Sequence, residues 1–428
     1  MPIRSTKKIL PNGLRVLLTP LKQTQAVTVL MLTKVGSRYE TSAINGVSHF
    51  LEHMMFKGTA KRPTARDVSK ELDGVGADYN AFTSKDSTGY YVKLASEHLD
   101  LALDIISDML WNSKFAEEEI AKERGVIVEE INMYYDNPMM LLEDLFEGLL
   151  FGKHHPLGRQ ISGPKAIVAS MQRSAIVNYF RRHYFPRNTV LSIAGNFSPQ
   201  RALARSQAFF GHGRRPQRPA VFQQFHPVQK TPRVLLHFRE TEQVQLGLGF
   251  PALSYDHVDQ PALTILAIIL GGNMSSRLFT RVREREGLCY YIAASRNPYQ
   301  ETGTFLIRSG LDKKRIAPAI QIILEILDDV VRAGVTDEEV AAAKEFLVGK
   351  FTLGLEDSEE IADFFAKQEL LMKRTLTPEQ RIGAIRRVTT RDVRRVARAV
   401  LRRERLNLAL IGPFRDSQLF TQMLAKRA

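Results

Sequence analysis

The sequence contains a single cysteine, Cys289, in 428 residues. An intrachain disulfide needs two cysteines and a thiolate zinc cluster needs several, so both frameworks are excluded. Any bound metal must therefore be held by histidine and carboxylate side chains. Cys289 itself lies in the strand-like segment GLCYY, and we expect it to be a small packed residue.

Long apolar runs are also missing. The longest, from Pro261 to Leu270, is far shorter than the about 18 to 20 residues that a membrane-spanning helix needs, so no span is predicted. The N-terminal segment has no apolar core followed by a small-residue cleavage site, which argues against a secretory signal. We therefore expect a cytoplasmic protein.

The net charge of +14 first suggests a nucleic acid partner. Much of the basic excess lies between Arg381 and Arg405, where apolar residues recur at helical spacing and arginines fill the other positions. No aromatic residues alternate with these arginines to stack on bases. The run is therefore predicted to be a solvated amphipathic helix, and we expect no nucleic acid partner.

Two parts of the chain resemble each other. The segments Phe115–Glu130 and Val335–Lys350 both show an acidic helix start followed by an apolar stripe. Further on, Asn188–Phe197 and Arg405–Phe414 are both strand-like apolar runs in which a glycine precedes a short turn. Both pairs of segments are offset by nearly the same number of residues, so we predict a duplicated domain.

The domain bounds follow from composition. Residues 213–232 are rich in proline, arginine and glutamine without periodicity, as expected of a connector between an N-terminal domain at 1–212 and a C-terminal domain at 233–428. In each half, strand-like segments precede long helical patterns. This order predicts an α+β fold of two homologous domains, each a mainly antiparallel sheet with helices packed on one face.

The segment GVSHFLEHMMFKGT contains the most informative pattern, in which His49, Glu52 and His53 form His-x-x-Glu-His. On a helix the two histidines project from one face, where both imidazoles can bind one cation. Glu52 is offset from that face, so its carboxylate can approach a metal-bound water as a general base. The apolar neighbours make this polar trio costly to bury without a partner, and a cation supplies one.

A hydrolytic zinc site has three protein ligands and one open position. The segment ERGVIVEEINM supplies carboxylates on a predicted helix, where Glu123 and Glu130 share a face and Glu129 is rotated from Glu130 by about 100°. We predict Glu130 as the ligand and Glu123 as a supporting carboxylate beside it, with Glu129 as the alternative ligand. The ligand types indicate zinc, one ion per chain.

Zinc would polarise a scissile carbonyl and lower the pKa of its water, while Glu52 takes the proton and returns it to the leaving amine. This chemistry predicts peptide-bond hydrolysis, with Glu52 and Glu123 as the catalytic carboxylates. The second half has no His-x-x-Glu-His, and Lys350 stands at the position of Glu130 when the halves are aligned. One half is therefore predicted to be catalytic and the other not.

These motifs resemble those of the pitrilysin-type zinc peptidases, the inverzincins, whose hallmark is His-x-x-Glu-His with a distal glutamate. The segments VGSRYE, GVSHFLEHMMFKGT, NAFTSKDSTGYY and ERGVIVEEINM resemble the branch that contains the mitochondrial processing peptidase beta subunit and its bacterial homologues. The resemblance spans essentially the whole chain. It implies a zinc metalloendopeptidase that cleaves unfolded or extended peptides in an enclosed chamber, each chain forming half of a clamshell.

The same resemblance implies substrate-binding residues. Arg283 and Tyr290, in RVREREGLCYY, match an arginine and a tyrosine that hold the substrate backbone near the zinc. Asn80, Ala81 and Phe82 match a sheet edge to which the substrate adds as an extra strand, a mode that tolerates many sequences. Without the resemblance, none of these five residues would be assigned a role.

The family also implies a dimer in which the second domain of one chain faces the zinc of the other. Because this chain carries both the zinc set and the Arg283–Tyr290 pair, we expect a homodimer with composite sites, and a heterodimer with an inactive paralogue is the alternative.

The chain starts directly at its first strand, without an Arg- and Ser-rich leader, which favours a bacterial cytoplasmic enzyme.

Two other functions compete with this interpretation. A non-catalytic or regulatory subunit of a heterodimeric peptidase, or of a respiratory-complex-like assembly of this fold, would typically have lost zinc ligands, which are all present here. A basic nucleic-acid-binding protein would show salt-dependent retention on DNA.

The adjacent His154 and His155 point apart in regular structure and match a loop of the family, so we expect them to be structural.

Overall fold

A computed structural model describes residues 2–212 and 220–425 of the chain. The described residues pack as two compact units, each assembled from three segments. Unit 1 falls within Met1–Asn132, Arg159–Gln223 and Phe351–Arg381, and unit 2 falls within Met133–Gly158, Gln224–Lys350 and Ile382–Ala428. The predicted domain bounds, 1–212 and 233–428, are drawn from the repeat and the connector in the sequence. They stay a prediction. Residues 213–219 of the predicted connector lie outside the described residues.

The two units contain one sheet each. The strands are β1 (Thr6–Ile9), β2 (Arg15–Pro20), β3 (Ala26–Thr33), β4 (Asp78–Thr83), β5 (Thr88–Ala95), β6 (Thr189–Gly195), β7 (Arg233–Phe238), β8 (Gln243–Ala252), β9 (Cys289–Pro298), β10 (Gly303–Asp312) and β11 (Asn407–Gly412). The order is β1-β2-β6-β3-β5-β4 in unit 1 and β7-β11-β8-β10-β9 in unit 2. The pairs β2/β6 and β7/β11 are parallel and their neighbours antiparallel. Apart from β1, the second sheet therefore repeats the first.

Helices fill the intervals between the strands. They are α1 (Val47–Met55), α2 (Ala65–Asp73), α3 (Leu99–Asn112), α4 (Glu117–Asp136), α5 (Pro138–Phe151), α6 (Lys165–Ala169), α7 (Arg173–His183), α8 (Pro199–Phe210), α9 (Gln260–Ala267), α10 (Ile316–Arg332), α11 (Asp337–Gly354), α12 (Ser358–Leu371), α13 (Pro378–Arg386), α14 (Thr390–Val400) and α15 (Gln418–Ala425). Two π-helical turns, Ile268–Gly272 and Phe279–Arg285, follow α9. None of the helices in the described ranges is both long and apolar enough to cross a membrane.

The alternation of side chains along β3 determines which helices lie on each face of the unit 1 sheet. Val27, Val29 and Met31 join the buried core shared with α1 and α3, whereas Thr28 points to the opposite face, since successive strand residues alternate. There its Oγ1 lies 2.8 Å from Ser358 Oγ on α12. Helix α12 therefore belongs to the first sheet although it comes late in the chain.

The predicted fold class, α+β with two repeated and mainly antiparallel sheets that carry helices, is confirmed, but the helices cover both faces of each sheet rather than the one face expected, since α12 and α5 pack on the second faces. Both sheets are mainly antiparallel, both carry packed helices, and the strand orders match. In unit 2, α9, α10 and α14 share the core of one sheet face, and α5 packs against β8 and β11. Helix α12 therefore comes from the second half of the sequence but belongs to unit 1, and α5 comes from the first half but belongs to unit 2.

The prediction of a single helix through the arginine-rich run from Arg381 to Arg405 is wrong. Helix α13 ends at Arg386 and α14 begins at Thr390, because Thr389 forms a capping box with Asp392 and starts a new helix. The apolar face of the run is nevertheless buried in α14, as the spacing indicated. The hydrophobic periodicity is continuous through the run, so it could not show where one helix ends and the next begins. The capping box at Thr389 decides that boundary.

Candidate metal centre

Helix α1 owes its start to Glu40 and Gly46. The buried Glu40 carboxylate accepts hydrogen bonds from the backbone N–H groups of Gly46 and Ser48, both at 2.8 Å, at the helix terminus that favours negative charge. Gly46 adopts a φ of 100°, and a Cβ there would lie 2.6 Å from the carbonyl oxygen of Ser162. The start of the histidine-bearing helix is therefore tightly defined.

His49 and His53 on α1 converge with Glu130 on α4. Glu130 Oε2 lies 3.5 Å from His49 Nε2 and 3.3 Å from His53 Nε2. One ligand atom from each of the three residues lies within 4.8 Å of the others. The helical spacing of the histidines thus places both rings on one face, as the motif indicated. We call His49, His53 and Glu130 the metal cluster.

Glu123 orients one of these rings. Its Oε1 lies 2.8 Å from His53 Nδ1, and its Oε2 lies 2.7 Å from the Nζ of Lys57. A carboxylate that accepts a hydrogen bond from Nδ1 keeps the imidazole proton on that nitrogen. The lone pair of Nε2 is then available to a metal. Glu129 is exposed on the same helix, about 100° away from Glu130.

The charges around the metal cluster favour a cation. Burial lowers the pKa of His53, but the hydrogen bond with Glu123 and the nearby Glu130 carboxylate outweigh it and raise the pKa to about 9. The proximity of His49 and His53 lowers the pKa of Glu130 below its ordinary range. Burial raises the pKa of Glu123, yet His53 and Lys57 lower it overall. The two carboxylates therefore stay ionised and stabilise positive charge between them.

The chemistry of the cluster fits zinc. Two imidazole nitrogens and one carboxylate oxygen are the ligand types of catalytic zinc sites. Glu130 Oε2 is buried and meets no donor with hydrogen-bond geometry among the described residues, although it faces both rings. A buried carboxylate oxygen in this state is costly unless a cation binds it.

Glu52 lies one residue before His53 on α1 and is partly buried. Its Oε2 accepts a short hydrogen bond from Oγ1 of Thr83, the last residue of β4. Glu52 is not one of the three residues whose ligand atoms converge in the metal cluster. Its carboxylate is therefore available to exchange protons, as a general base must be.

Asn80, Ala81 and Phe82 lie in the middle of β4, a strand at the edge of the unit 1 sheet. One side of β4 pairs with β5, and the strand has no second partner among the described strands. Asn80 is exposed and the other two are half-buried. An edge strand of this kind can accept an added strand through its main-chain groups.

Arg283 and Tyr290 lie together in unit 2. The guanidinium carbon of Arg283 is 5.6 Å from the centre of the Tyr290 ring and 4.5 Å from that of Phe279. Arg283 sits in the π-helical turn Phe279–Arg285, a type of distortion that is frequent at functional sites. Tyr290 is 75% exposed, so its hydroxyl is free to meet a ligand.

Two residues of the site were not found by sequence reasoning. Lys57, which holds Glu123, lies four residues after His53 on the chain, and Thr83 directly follows the Asn80–Phe82 segment. A helical offset from His53 could have suggested Lys57. Nothing in the sequence pattern pairs Thr83 with Glu52, because their contact depends on how β4 lies against α1.

Sequence comparisons match this chain to two family models and to several bacterial relatives. Residues 15–165 match the model of insulinase (peptidase family M16), and residues 170–347 match the peptidase M16 inactive domain. An uncharacterized zinc protease of Streptomyces coelicolor is 37% identical, covering 96% of this chain and 90% of the relative. The uncharacterized zinc protease YmxG of Bacillus subtilis is 35% identical, covering 94% and 97%.

Solved structures show the same fold. A protease from Helicobacter pylori superposes with a TM-score of 0.91 at 24% identity, covering 96% of this chain and 100% of that chain. A Pseudomonas fluorescens structure described as a peptidase M16 inactive domain superposes with a TM-score of 0.87 at 19% identity, covering 96% and 98%. The chain belongs to peptidase family M16, the insulinase family, as the pitrilysin-type resemblance indicated.

Proposed function

We propose that this chain is a zinc-dependent metalloendopeptidase that hydrolyses peptide bonds of unfolded or extended peptides. The observation that carries the proposal is the convergence of His49, His53 and Glu130, with the Glu52 carboxylate beside them on α1. The relatives named zinc proteases support the metal and the reaction class. The match of residues 170–347 to an inactive domain supports a single catalytic half.

Each residue of the site has a defined task in this proposal. His49 and His53 would bind zinc through Nε2 and Glu130 through a carboxylate oxygen, while Glu123 keeps the proton of His53 on Nδ1. When bound, zinc polarises a peptide carbonyl and makes a water molecule easier to deprotonate. Glu52 accepts a proton from the attacking water and returns it to the leaving amine.

The free edge of β4 suggests how substrate would be held. An extended peptide that pairs with Asn80, Ala81 and Phe82 would be bound by main-chain hydrogen bonds, so its sequence matters little. Folded proteins have few unpaired extended segments to offer, which restricts the substrates to unfolded or flexible chains. We further propose a homodimer in the bacterial cytoplasm, with Arg283 and Tyr290 contacting substrate backbone.

Removal of the metal should abolish peptide hydrolysis. Purified protein is assayed with a set of quenched unstructured peptides before and after treatment with a chelator, and zinc content is measured in parallel. We expect activity to disappear with the zinc and to return on addition of one equivalent, because the proposed reaction depends on the metal. Unchanged hydrolysis by protein shown to be free of metal would refute the proposal.

Replacement of Glu123 by glutamine should weaken zinc binding. The amide cannot hold the Nδ1 proton of His53 as a carboxylate does, and loss of such a supporting partner typically costs about 10- to 100-fold in metal affinity. Competition titration with a chromogenic chelator measures the affinity. Glu129→Gln is the matched control, since Glu129 is exposed on the same helix. An equal loss in the control, or none in Glu123→Gln, would contradict the assigned roles.

A further inference from the structure

The hydroxyl of Thr83 joins the substrate-edge strand to the proposed base. Thr83 is the last residue of β4 and pairs with Thr88 of β5, while its Oγ1 donates a hydrogen bond to Glu52 Oε2 on α1. A hydrogen bond between a hydroxyl and a carboxylate is among the stronger kinds in proteins. It connects the side chain of Glu52 directly with β4.

Strand alternation explains why this hydroxyl can reach Glu52. Thr83 and Tyr79 share one face of β4, and the Tyr79 ring lies 6.2 Å from that of Phe56, just beyond the end of α1. Phe82 points to the other face, where Lys367 Nζ of α12 lies 5.5 Å from its ring centre. The face that meets α1 is therefore the one that carries Thr83.

Orientation of Glu52 matters because a carboxylate on a flexible side chain has many rotamers. Thr83 restricts this freedom in two ways: its branched side chain is stiff about χ1, and its backbone is held in the β4/β5 ladder. The hydroxyl uses one lone pair of Oε2 and so fixes the carboxylate plane, while Oε1 and the second lone pair of Oε2 can still take a proton. Misplacement of a reacting group by about 1 Å can cost about 100-fold in rate.

We infer that Thr83 is a positioning residue that holds the Glu52 carboxylate for proton transfer and ties it to the strand on which substrate would dock. The inference rests on the proposed peptidase function, but it concerns a residue outside the metal cluster. A peptide paired with β4 would then be aligned with Glu52 through the same strand.

The test compares two substitutions in the full-length zinc-loaded protein. Thr83→Val keeps the shape and the branching but removes the hydroxyl, whereas Thr83→Ser keeps the hydroxyl. We expect kcat on a quenched unstructured peptide to fall about 10- to 100-fold in Thr83→Val, the range for a hydrogen bond to a charged group. We expect KM and zinc content to stay within about twofold, and Thr83→Ser to retain most of the activity.

A crystal structure of each zinc-loaded variant supplies a readout that does not depend on activity. We expect the Glu52 carboxylate to leave its position in Thr83→Val and to keep it in Thr83→Ser. An unmoved carboxylate, an unchanged kcat in Thr83→Val, an equal loss in both variants, or a rise in KM alone would each overturn the inference. An inactive wild type would instead count against the proposed function, while the crystallographic comparison would still decide the role of Thr83.

Discussion

Replacement of Glu52 by glutamine is expected to reduce peptide hydrolysis by about a hundredfold to ten-thousandfold, the usual contribution of a general acid–base residue. The amide has nearly the size of the carboxylate and can still meet Thr83, but it cannot accept a proton. The metal cluster of His49, His53 and Glu130 is untouched, so zinc should remain bound. Steady-state assays on unstructured peptides and zinc analysis of the same preparation measure both quantities.

The matched control for this variant is Glu118→Gln on the exposed start of α4. It makes the same chemical change on α4 about three helical turns before Glu130, outside the metal cluster, and should leave kcat unchanged. A Glu52→Gln protein that loses its zinc would indicate that Glu52 supports the metal rather than the proton transfer. Full activity in a zinc-loaded Glu52→Gln protein would assign the base to another residue.

The metal cluster could be predicted from the sequence because its geometry is local to two helices. The spacing of His49 and His53 and that of Glu123 and Glu130 each define one helix face, and both faces are those that the structure brings together. Successive residues on a helix are about 100° apart, so Glu129 points away from Glu130 and is exposed. Periodicity is reliable here since the distances involved span only one or two helical turns.

Contacts between distant segments could not be predicted in this way. Lys57 reaches Glu123 and Thr83 reaches Glu52 across 66 and 31 positions of the chain, respectively. Helix α12 covers the first sheet through the Thr28–Ser358 contact, although it lies in the second half of the sequence. Periodicity describes which face of an element is apolar, but not which partner will cover it.

Joining two inactive variants in one dimer is expected to restore hydrolysis. The resemblance implies that the zinc set of one chain works with Arg283 and Tyr290 of the other, and in this chain the two sets belong to different units. A His49→Ala chain would lack the metal, and an Arg283→Ala chain would lack the substrate contact. The mixed dimer of these chains keeps one of its two composite sites intact, so it should show about half the wild-type activity.

The mixed dimer is obtained by co-expressing the two variants with different affinity tags and purifying on both. The matched control joins His49→Ala with Glu52→Gln, because both changes lie in the same half of the composite site and leave neither site complete. Recovery in the first dimer and none in the control would establish sites shared between chains. Equal inactivity of both dimers would show that each chain completes its own site or needs a different partner, and would refute the composite arrangement.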